Sequence, residues 1–278
     1  MDDTIEVETM AARLSVSLAR GRGPAVLLLH GNSLAKETIL PLTDALAERG
    51  ATVVAPDLPG HGRSEDAANP EADYTLGGLA GTVLDLADRI GLSEFHVVGW
   101  SLGGNVALDL LALAPERVRS VAAIAAPPIR MSAASIEAAF LPSPAGRLVT
   151  LPTWSEADAR AYLGGVFEPP LVAEFLPDAL RADGRCRTVS LFTAFAGAGT
   201  DQVDLVARSR RPLALLVGER DPLVSRDYLA ALPCARLWRG AVSVIPRAGH
   251  APQWDAPRAT RESVLAFLAD SDPAFRRL

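Results

Sequence analysis

The sequence predicts an α/β fold: a mostly parallel, doubly wound sheet with a helical cap inserted into it. Short apolar runs of strand length alternate with segments of helical apolar spacing over most of the 278 residues. Such alternation is typical of a parallel sheet that is covered by helices on both faces. The alternation stops near residue 129 and resumes after residue 208. We therefore expect residues 1–128 and 209–278 to form one core domain, and residues 129–208 to form the cap.

The individual elements follow from the spacing of apolar residues. Residues 25–29 are a continuous apolar run, as expected for a strand buried on both faces, whereas residues 14–18 alternate and predict a half-exposed strand. Further strands are predicted at residues 52–55, 95–98, 121–125, 213–217 and 242–245. Helices are predicted at residues 41–49, 79–90, 103–114 and 259–268 in the core, and at 155–163 and 171–180 in the cap.

Composition excludes several classes of protein. The net charge is −6 and the basic residues form no runs, so we expect no nucleic-acid partner. The acidic first residues do not resemble a secretory signal, and no apolar run is long enough to cross a membrane. Cys186 and Cys234 form no C-x-x-C pair. Two isolated cysteines indicate a reducing compartment, and we expect a cytoplasmic protein.

A candidate nucleophile lies in residues 99–103, which read Gly-Trp-Ser-Leu-Gly and match G-x-S-x-G. A predicted strand ends just before this motif, and a predicted helix begins just after Ser101. A sharp turn between strand and helix strains the nucleophile's backbone and directs free helix N–H groups toward it. The three fixed positions alone would match by chance in roughly one chain of this length in ten. The flanking strand and helix make a chance match rarer, and Ser101 is the predicted nucleophile.

A serine hydroxyl needs a neighbouring base. The chain has four histidines. His30 and His61 each stand beside a glycine in loops after strands, and His96 lies inside a predicted strand, where a structural role is expected. His250 follows the last strand, between a glycine and a proline, and is the predicted base. The alternative is a solvated loop histidine.

The predicted acid is Asp221, which follows the strand at residues 213–217. Its place before His250 gives the chain order Ser, Asp, His that is expected of this fold. Glu219 is the local competitor, and an exposed glutamate beside Arg220 is its ordinary interpretation.

An acyl-transfer site also needs hydrogen-bond donors for the oxyanion. We expect one from the backbone N–H of Leu102, the residue after the nucleophile. The other is expected from the loop after the strand at residues 25–29, with Asn32 the first candidate and Ser33 the second.

Together these motifs resemble the α/β-hydrolase superfamily, in the group that carries a helical cap. The matching segments are residues 30–32, 57–64, 99–104, 218–224 and 249–250. The resemblance implies the α/β-hydrolase fold and spans nearly the whole chain. Residues 57–64 are a structural signature in that family and are left out of the site.

A closer resemblance is to the N-acyl-homoserine lactonases of this fold, which open the lactone of quorum-sensing signals without a metal. It rests on residues 30–33, 99–104, 126–128, 249–252 and 155–162. In that branch a cap tyrosine contacts the substrate, and the matching position is Tyr162; the alternative is an aromatic residue that packs the cap. We also expect Ser33 and Trp100 to bind substrate. One departure is that the lactonase pattern has glutamate where this chain has Asp221.

The sequence does not contain the residue patterns that several other kinds of enzyme require. A serine at position 101, where dehalogenases and epoxide hydrolases carry aspartate, argues against both. Four dispersed histidines without H-x-H spacing do not supply the ligands of a metal-dependent lactonase. No G-x-G-x-x-G follows a strand. We expect no metal and no cofactor.

Three functions are therefore considered. The first is hydrolysis of a carboxylic ester or lactone, in particular an N-acyl-homoserine lactone, through an acyl-serine intermediate. The second is a general carboxylesterase, thioesterase or carbon–carbon bond hydrolase, because a fold does not determine a substrate. The third is a small-molecule receptor on a hydrolase fold, which would need neither triad nor oxyanion donors. In each case the expected partner is a small molecule, and the chain is a monomer or homodimer.

Overall fold

The computed structural model describes residues 3–277. Within this range the strands form one eight-stranded sheet in the order β1-β2-β4-β3-β5-β6-β7-β8. The strands are β1 (Asp3–Glu8), β2 (Arg13–Ala19), β3 (Ala25–Leu29), β4 (Thr52–Pro56), β5 (Phe95–Trp100), β6 (Val118–Ile124), β7 (Leu213–Gly218) and β8 (Ser243–Ile245). The pairs from β4 to β8 are parallel, and β1 and β2 add antiparallel pairs at one edge. The predicted mostly parallel sheet is confirmed.

Strand β1 was not among the predicted strands. Its sequence alternates acidic or polar residues with Ile5 and Val7, and its residues are exposed or half-buried. It pairs along its whole length with β2 only. Charged side chains are a common feature of such an edge strand, because they discourage pairing with another chain.

Helices cover both faces of the sheet. The core helices are α1 (Leu40–Ala47), α2 (Pro70–Asp73), α3 (Leu76–Arg89), α4 (Leu102–Leu113), α11 (Arg226–Ala231), α12 (Pro252–Asp255) and α13 (Pro257–Ser271). Between β6 and β7 lie α5 (Ala133–Ala139), α6 (Pro144–Leu148), α7 (Glu156–Gly164), α8 (Pro169–Arg181), α9 (Gly184–Phe195) and α10 (Gln202–Arg208). We call residues 129–208 the helical insert. No helix in the described range is long and apolar enough to cross a membrane.

The sheet separates two apolar clusters. Alternate residues of β3 supply opposite sides, with Val26 and Leu28 in one cluster and Leu27 and Leu29 in the other. All four side chains are inaccessible to solvent. This period of two explains why the strand reads as a continuous apolar run, since both of its faces are covered.

One glutamine joins the two ends of the helical insert to α4. The Gln202 side chain donates to the Asn105 carbonyl (3.1 Å) and to Asp109 Oδ1 (2.8 Å). Its Oε1 accepts from Asn105 Nδ2 (2.9 Å) and from the backbone N–H of Ile129 (3.3 Å). Asn105 Nδ2 also donates to the carbonyl of Pro127 (2.9 Å). Entry and exit of the insert are therefore held at one place, on the helix that follows Ser101.

Candidate active site

Ser101 lies in a tight turn between β5 and α4. Its backbone has φ 52° and ψ −121°, a strained conformation for a residue with a side chain. The flanking glycines allow this turn. A Cβ on Gly99 would lie 2.1 Å from the Gly103 carbonyl oxygen, and a Cβ on Gly103 would lie 2.4 Å from the Leu29 carbonyl oxygen. Only glycine fits at either position, so the motif's glycines serve the backbone path that exposes the serine.

Ser101, His250 and Asp221 form a chain of hydrogen bonds. His250 Nε2 lies 3.1 Å from Ser101 Oγ, and His250 Nδ1 lies 3.0 Å from Asp221 Oδ2. Each residue follows a different strand, since Ser101 comes after β5, Asp221 after β7 and His250 after β8. These strands are parallel in one sheet, so the loops that follow them meet at the same edge.

The orientation of Asp221 determines the tautomer of His250. Asp221 Oδ1 accepts from the backbone N–H groups of Leu223 (2.8 Å) and Val224 (3.1 Å), and the residue is buried. Since the carboxylate faces Nδ1, that nitrogen carries the proton and Nε2 accepts from the Ser101 hydroxyl. The competitor Glu219 is exposed and instead accepts from the backbone N–H of Arg247 (2.8 Å).

Two backbone N–H groups near Ser101 have no hydrogen-bond acceptor among residues 3–277. Neither the Leu102 nor the Asn32 backbone N–H donates a hydrogen bond within the described part of the chain. The Ser33 N–H, in contrast, donates to His61 Nε2 (3.1 Å). Of the two candidates in this loop, Asn32 therefore retains an N–H for an oxyanion and Ser33 does not.

A cavity of about 260 Å³ opens above Ser101 and His250, and it is mostly apolar. Its core-domain lining includes Leu76, Leu102, Asn105 and Leu223. The helical insert supplies most of the remaining wall, with Ile136, Phe140, Leu141, Val149, Thr150, Tyr162, Arg187, Ser190, Leu191, Ala194 and Phe195. The insert therefore shapes the space that a substrate would occupy.

Tyr162 lies on the cavity wall, but its hydroxyl is already engaged. The hydroxyl donates to the Asn32 carbonyl oxygen at 3.3 Å. Burial raises the pKa of Tyr162 to about 12, so the hydroxyl stays protonated at neutral pH. In this position Tyr162 contacts the loop that carries the free Asn32 N–H.

Ser33 and Trp100 are not among the described residues that line the cavity, and their role in substrate binding stays a prediction. Ser33 is buried behind Asn32, and its hydroxyl accepts from Arg187 (3.0 Å). Trp100 is buried beneath the histidine loop, where its Nε1 donates to the His250 carbonyl oxygen (2.8 Å). Both side chains support other parts of the site.

Arg187 on α9 is a site residue that the sequence analysis missed. It is only 3% exposed and lines the cavity. Its guanidinium lies 3.9 Å from the centre of the Trp154 ring. Arginines are frequent in this part of the chain and most are exposed, so no sequence signal distinguishes the buried one.

A buried polar cluster supports the Asn32 loop from behind. Lys36 Nζ lies 2.6 Å from Asp57 Oδ2, and both side chains are buried. Burial alone would raise the pKa of Asp57, but His30 and Lys36 hold that pKa below its usual value. Burial lowers the pKa of His61 to about 3, so its ring is neutral and accepts from the Ser33 N–H.

His96 occupies the structural position predicted for it. It is fully buried in β5, with Nδ1 2.7 Å from Ser120 Oγ and Nε2 3.3 Å from Asp272. Within residues 3–277, no three His, Cys, Asp or Glu side chains form a group able to hold a metal ion.

The fold and this serine-centred site define the class of protein. The alpha/beta hydrolase family matches residues 26–263, so the chain belongs to that family, and the predicted superfamily is confirmed. It is an enzyme of the ester-hydrolysing kind, as its relatives also indicate.

Three proteins show what this chain is similar to. The solved structure of the N-acyl homoserine lactonase AidH with N-hexanoyl homoserine lactone is similar at a TM-score of 0.91 and 30% identity, covering 98% of this chain and 99% of AidH. A pimeloyl-(acyl-carrier protein) methyl ester esterase of Chromobacterium violaceum is 30% identical over 84% of this chain and 89% of its own length. An uncharacterized protein of Mycobacterium tuberculosis is 28% identical over 98% of this chain and 83% of its own length.

Proposed function

We propose that this hydrolase cleaves its ester bond through an acyl-Ser101 intermediate and that its substrate is an N-acyl-homoserine lactone. The observation that carries the proposal is the hydrogen-bonded chain from Ser101 through His250 to Asp221 at the floor of an apolar cavity. A serine, a base and a buried orienting carboxylate are the parts that acyl transfer requires.

Acylation begins when Ser101 Oγ attacks the substrate carbonyl carbon and His250 Nε2 takes the hydroxyl proton. Asp221 stabilises the imidazolium that forms. The backbone N–H groups of Leu102 and Asn32 donate to the negatively charged carbonyl oxygen of the tetrahedral intermediate. When that intermediate collapses, His250 returns the proton to the leaving alkoxide and the acyl-enzyme remains.

Deacylation uses water in place of the alcohol. His250 takes a proton from a water molecule, which attacks the acyl-enzyme, and Ser101 regains its proton as the acid leaves. In a lactone the leaving alcohol stays attached to the acyl group, so ring closure competes with attack by water. We propose that the helical insert acts as a cap that admits water at this step.

The lactone assignment rests on two further observations. AidH, a lactonase, is similar to this chain over nearly the whole length of both. The apolar wall around Ser101 also suits an acyl chain, because burying apolar surface favours binding. N-acyl-homoserine lactones are quorum-sensing signals, so their hydrolysis would constitute quorum quenching.

Both cysteines, Cys186 and Cys234, are free thiols, which fits the proposed cytoplasmic location.

A second candidate is a carboxylesterase that acts on open-chain esters. The similarity to the methyl ester esterase supports it, since that relative is 30% identical over 84% of this chain. The same triad and oxyanion donors would serve both reactions. The two candidates differ only in whether the leaving alcohol is attached to the acyl group.

The test is hydrolysis of homoserine lactones with acyl chains of increasing length, followed as acid release at constant pH in the presence of a chelator. Ring opening that survives the chelator and is lost in Ser101→Ala supports the proposal. Matched open-chain hexanoyl esters serve as the comparison. Cleavage of the esters without ring opening would favour the carboxylesterase, and full activity of Ser101→Ala would refute both.

A further inference from the structure

Arg187 is a buried cation whose hydrogen-bond acceptors are all neutral. Its three hydrogen bonds in the described range go to the Leu151 carbonyl (2.8 Å), the Pro152 carbonyl (3.3 Å) and Ser33 Oγ (3.0 Å). None of these acceptors carries a charge. Burial lowers the pKa of the guanidinium, although arginine keeps its proton at any ordinary pH.

An unneutralised buried charge is costly, because water solvates it far better than carbonyl groups do. The carbonyls and the Trp154 ring beneath the guanidinium offset part of this cost. Negative charge in the cavity would offset more of this cost. Among the described residues that line it, Arg187 is the one side chain with a permanent charge. Ester hydrolysis creates negative charge in this space on the oxyanion and then on the product carboxylate.

Arg187 also holds the loop that carries the free Asn32 N–H. Its Nη1 donates to Ser33 Oγ, and the Ser33 hydroxyl donates in turn to Asn32 Oδ1 (3.2 Å). Ser33 has φ 56°, which a residue with a side chain rarely adopts without support. His61 fixes the Ser33 N–H from the other side (3.1 Å). The strained residue next to Asn32 is thus held between the core domain and the helical insert.

We propose that Arg187 is a positioning residue that holds the oxyanion loop through Ser33, and that its charge binds the carboxylate of the product acid. This inference rests on the proposed function, because it assigns Arg187 to the same site. It links the helical insert to catalysis as well as to substrate fit. Removal of the insert's contact with Ser33 would leave the triad intact and disturb the oxyanion donor.

The experiment compares Arg187→Met, Arg187→Lys, Ser33→Ala and the double variant Ser33→Ala/Arg187→Met. Arg160→Met, at an exposed arginine of the same insert, is the matched control. Hydrolysis of p-nitrophenyl hexanoate and of N-hexanoyl homoserine lactone gives kcat and KM. Calorimetry with hexanoate ion measures carboxylate binding without catalysis. Thermal unfolding shows which variants are folded.

We expect Arg187→Met to lower kcat about 100-fold with KM changed less than about threefold, because the loop donor acts in the transition state. Ser33→Ala should lower kcat to a similar extent, and the double variant should match Arg187→Met within about twofold, since both changes break the same connection. Arg187→Lys keeps the charge and should retain hexanoate binding. Arg187→Met should weaken that binding at least about tenfold.

Several results would overturn the inference. One is a folded Arg187→Met variant with wild-type kcat. Another is a double variant whose loss of kcat equals the product of the two single losses. A third is an affinity for hexanoate that is unchanged in Arg187→Met. If Arg187→Met does not fold, Arg187→Lys and Ser33→Ala decide, and wild-type kcat in both refutes the positioning role. Failure of the proposed function looks different, since then the wild type does not open the lactone or Ser101→Ala remains active. If only the lactone fails, the kcat values with p-nitrophenyl hexanoate still test the role of Arg187.

Discussion

Acidification should destabilise the protein through His61, whose ring must stay neutral to accept the Ser33 N–H. Burial lowers the pKa of His61 from 6.5 to about 3 in the folded chain. Between these two values the unfolded chain binds a proton that the folded chain does not. Stability therefore falls as the pH drops below 6.5, by about 1.4 kcal/mol for each pH unit, and this loss ends near the folded pKa.

At pH 5 the loss from this one group amounts to about 2 kcal/mol relative to neutral pH. The replacement His61→Gln keeps an oxygen that can accept from the Ser33 N–H but does not titrate. Its free energy of unfolding should fall about 2 kcal/mol less than that of the wild type between pH 7 and pH 5. His96, whose pKa burial lowers to about 4, titrates equally in both proteins and cancels in the comparison.

Urea unfolding at both pH values measures these free energies, provided that the slope with urea stays constant. Arg160→Met, an exposed change far in sequence from the loop, should keep the full acid sensitivity of the wild type. If His61→Gln loses as much stability on acidification as the wild type does, the ring is not the neutral acceptor that the geometry requires. The explanation of its buried position would then be wrong.

Three further predictions concern other contacts of the site. Asp221→Asn should lower kcat about 10⁴-fold with an unchanged fold, because no carboxylate then holds the proton of His250 on Nδ1. Steady-state rates within tenfold of wild type would contradict this. Trp100→Phe removes the hydrogen bond to the His250 carbonyl and should cost about 1 kcal/mol of stability with a drop in kcat, measured by urea unfolding and initial rates. Lys36→Met should cost about 3–5 kcal/mol, because Asp57 is left buried and unpaired, and a second change, Asp57→Asn, should restore part of that loss.

The sheet could be predicted because its strands are defined by local patterns. The run at residues 25–29 is β3 with the same bounds, since a strand buried on both faces contains only apolar residues. The edge strand β1 lacks that signal, because its acidic side chains face solvent. It is ordered mainly by pairing with β2, a partner that local sequence does not reveal.

The candidate site likewise has features that the sequence predicts and features that it does not. Parallel strands end at one edge, so sequence order alone predicts that the residues after β5, β7 and β8 meet there; the catalytic roles of Ser101, Asp221 and His250 stay a prediction. No comparable rule predicts the contacts between the helical insert and the core. Ser33 lies behind the cavity wall and Arg187 on it because of tertiary packing between α9 and the loop after β3, which no spacing in the sequence encodes.

The hydrogen bonds of Gln202 bring the two ends of residues 130–201 together on the core. Ile129, at the start of the insert, and Gln202, at the start of its last helix, are joined directly, since the Gln202 N–H donates to the Ile129 carbonyl (2.9 Å). A chain segment that leaves and re-enters a fold at one point can change in length and shape with little strain on the rest. Changes within residues 130–201 can therefore reshape the cavity wall while the strand ends that hold the serine, aspartate and histidine remain the same, provided that Tyr162 and Arg187 keep their contacts with the loop after β3.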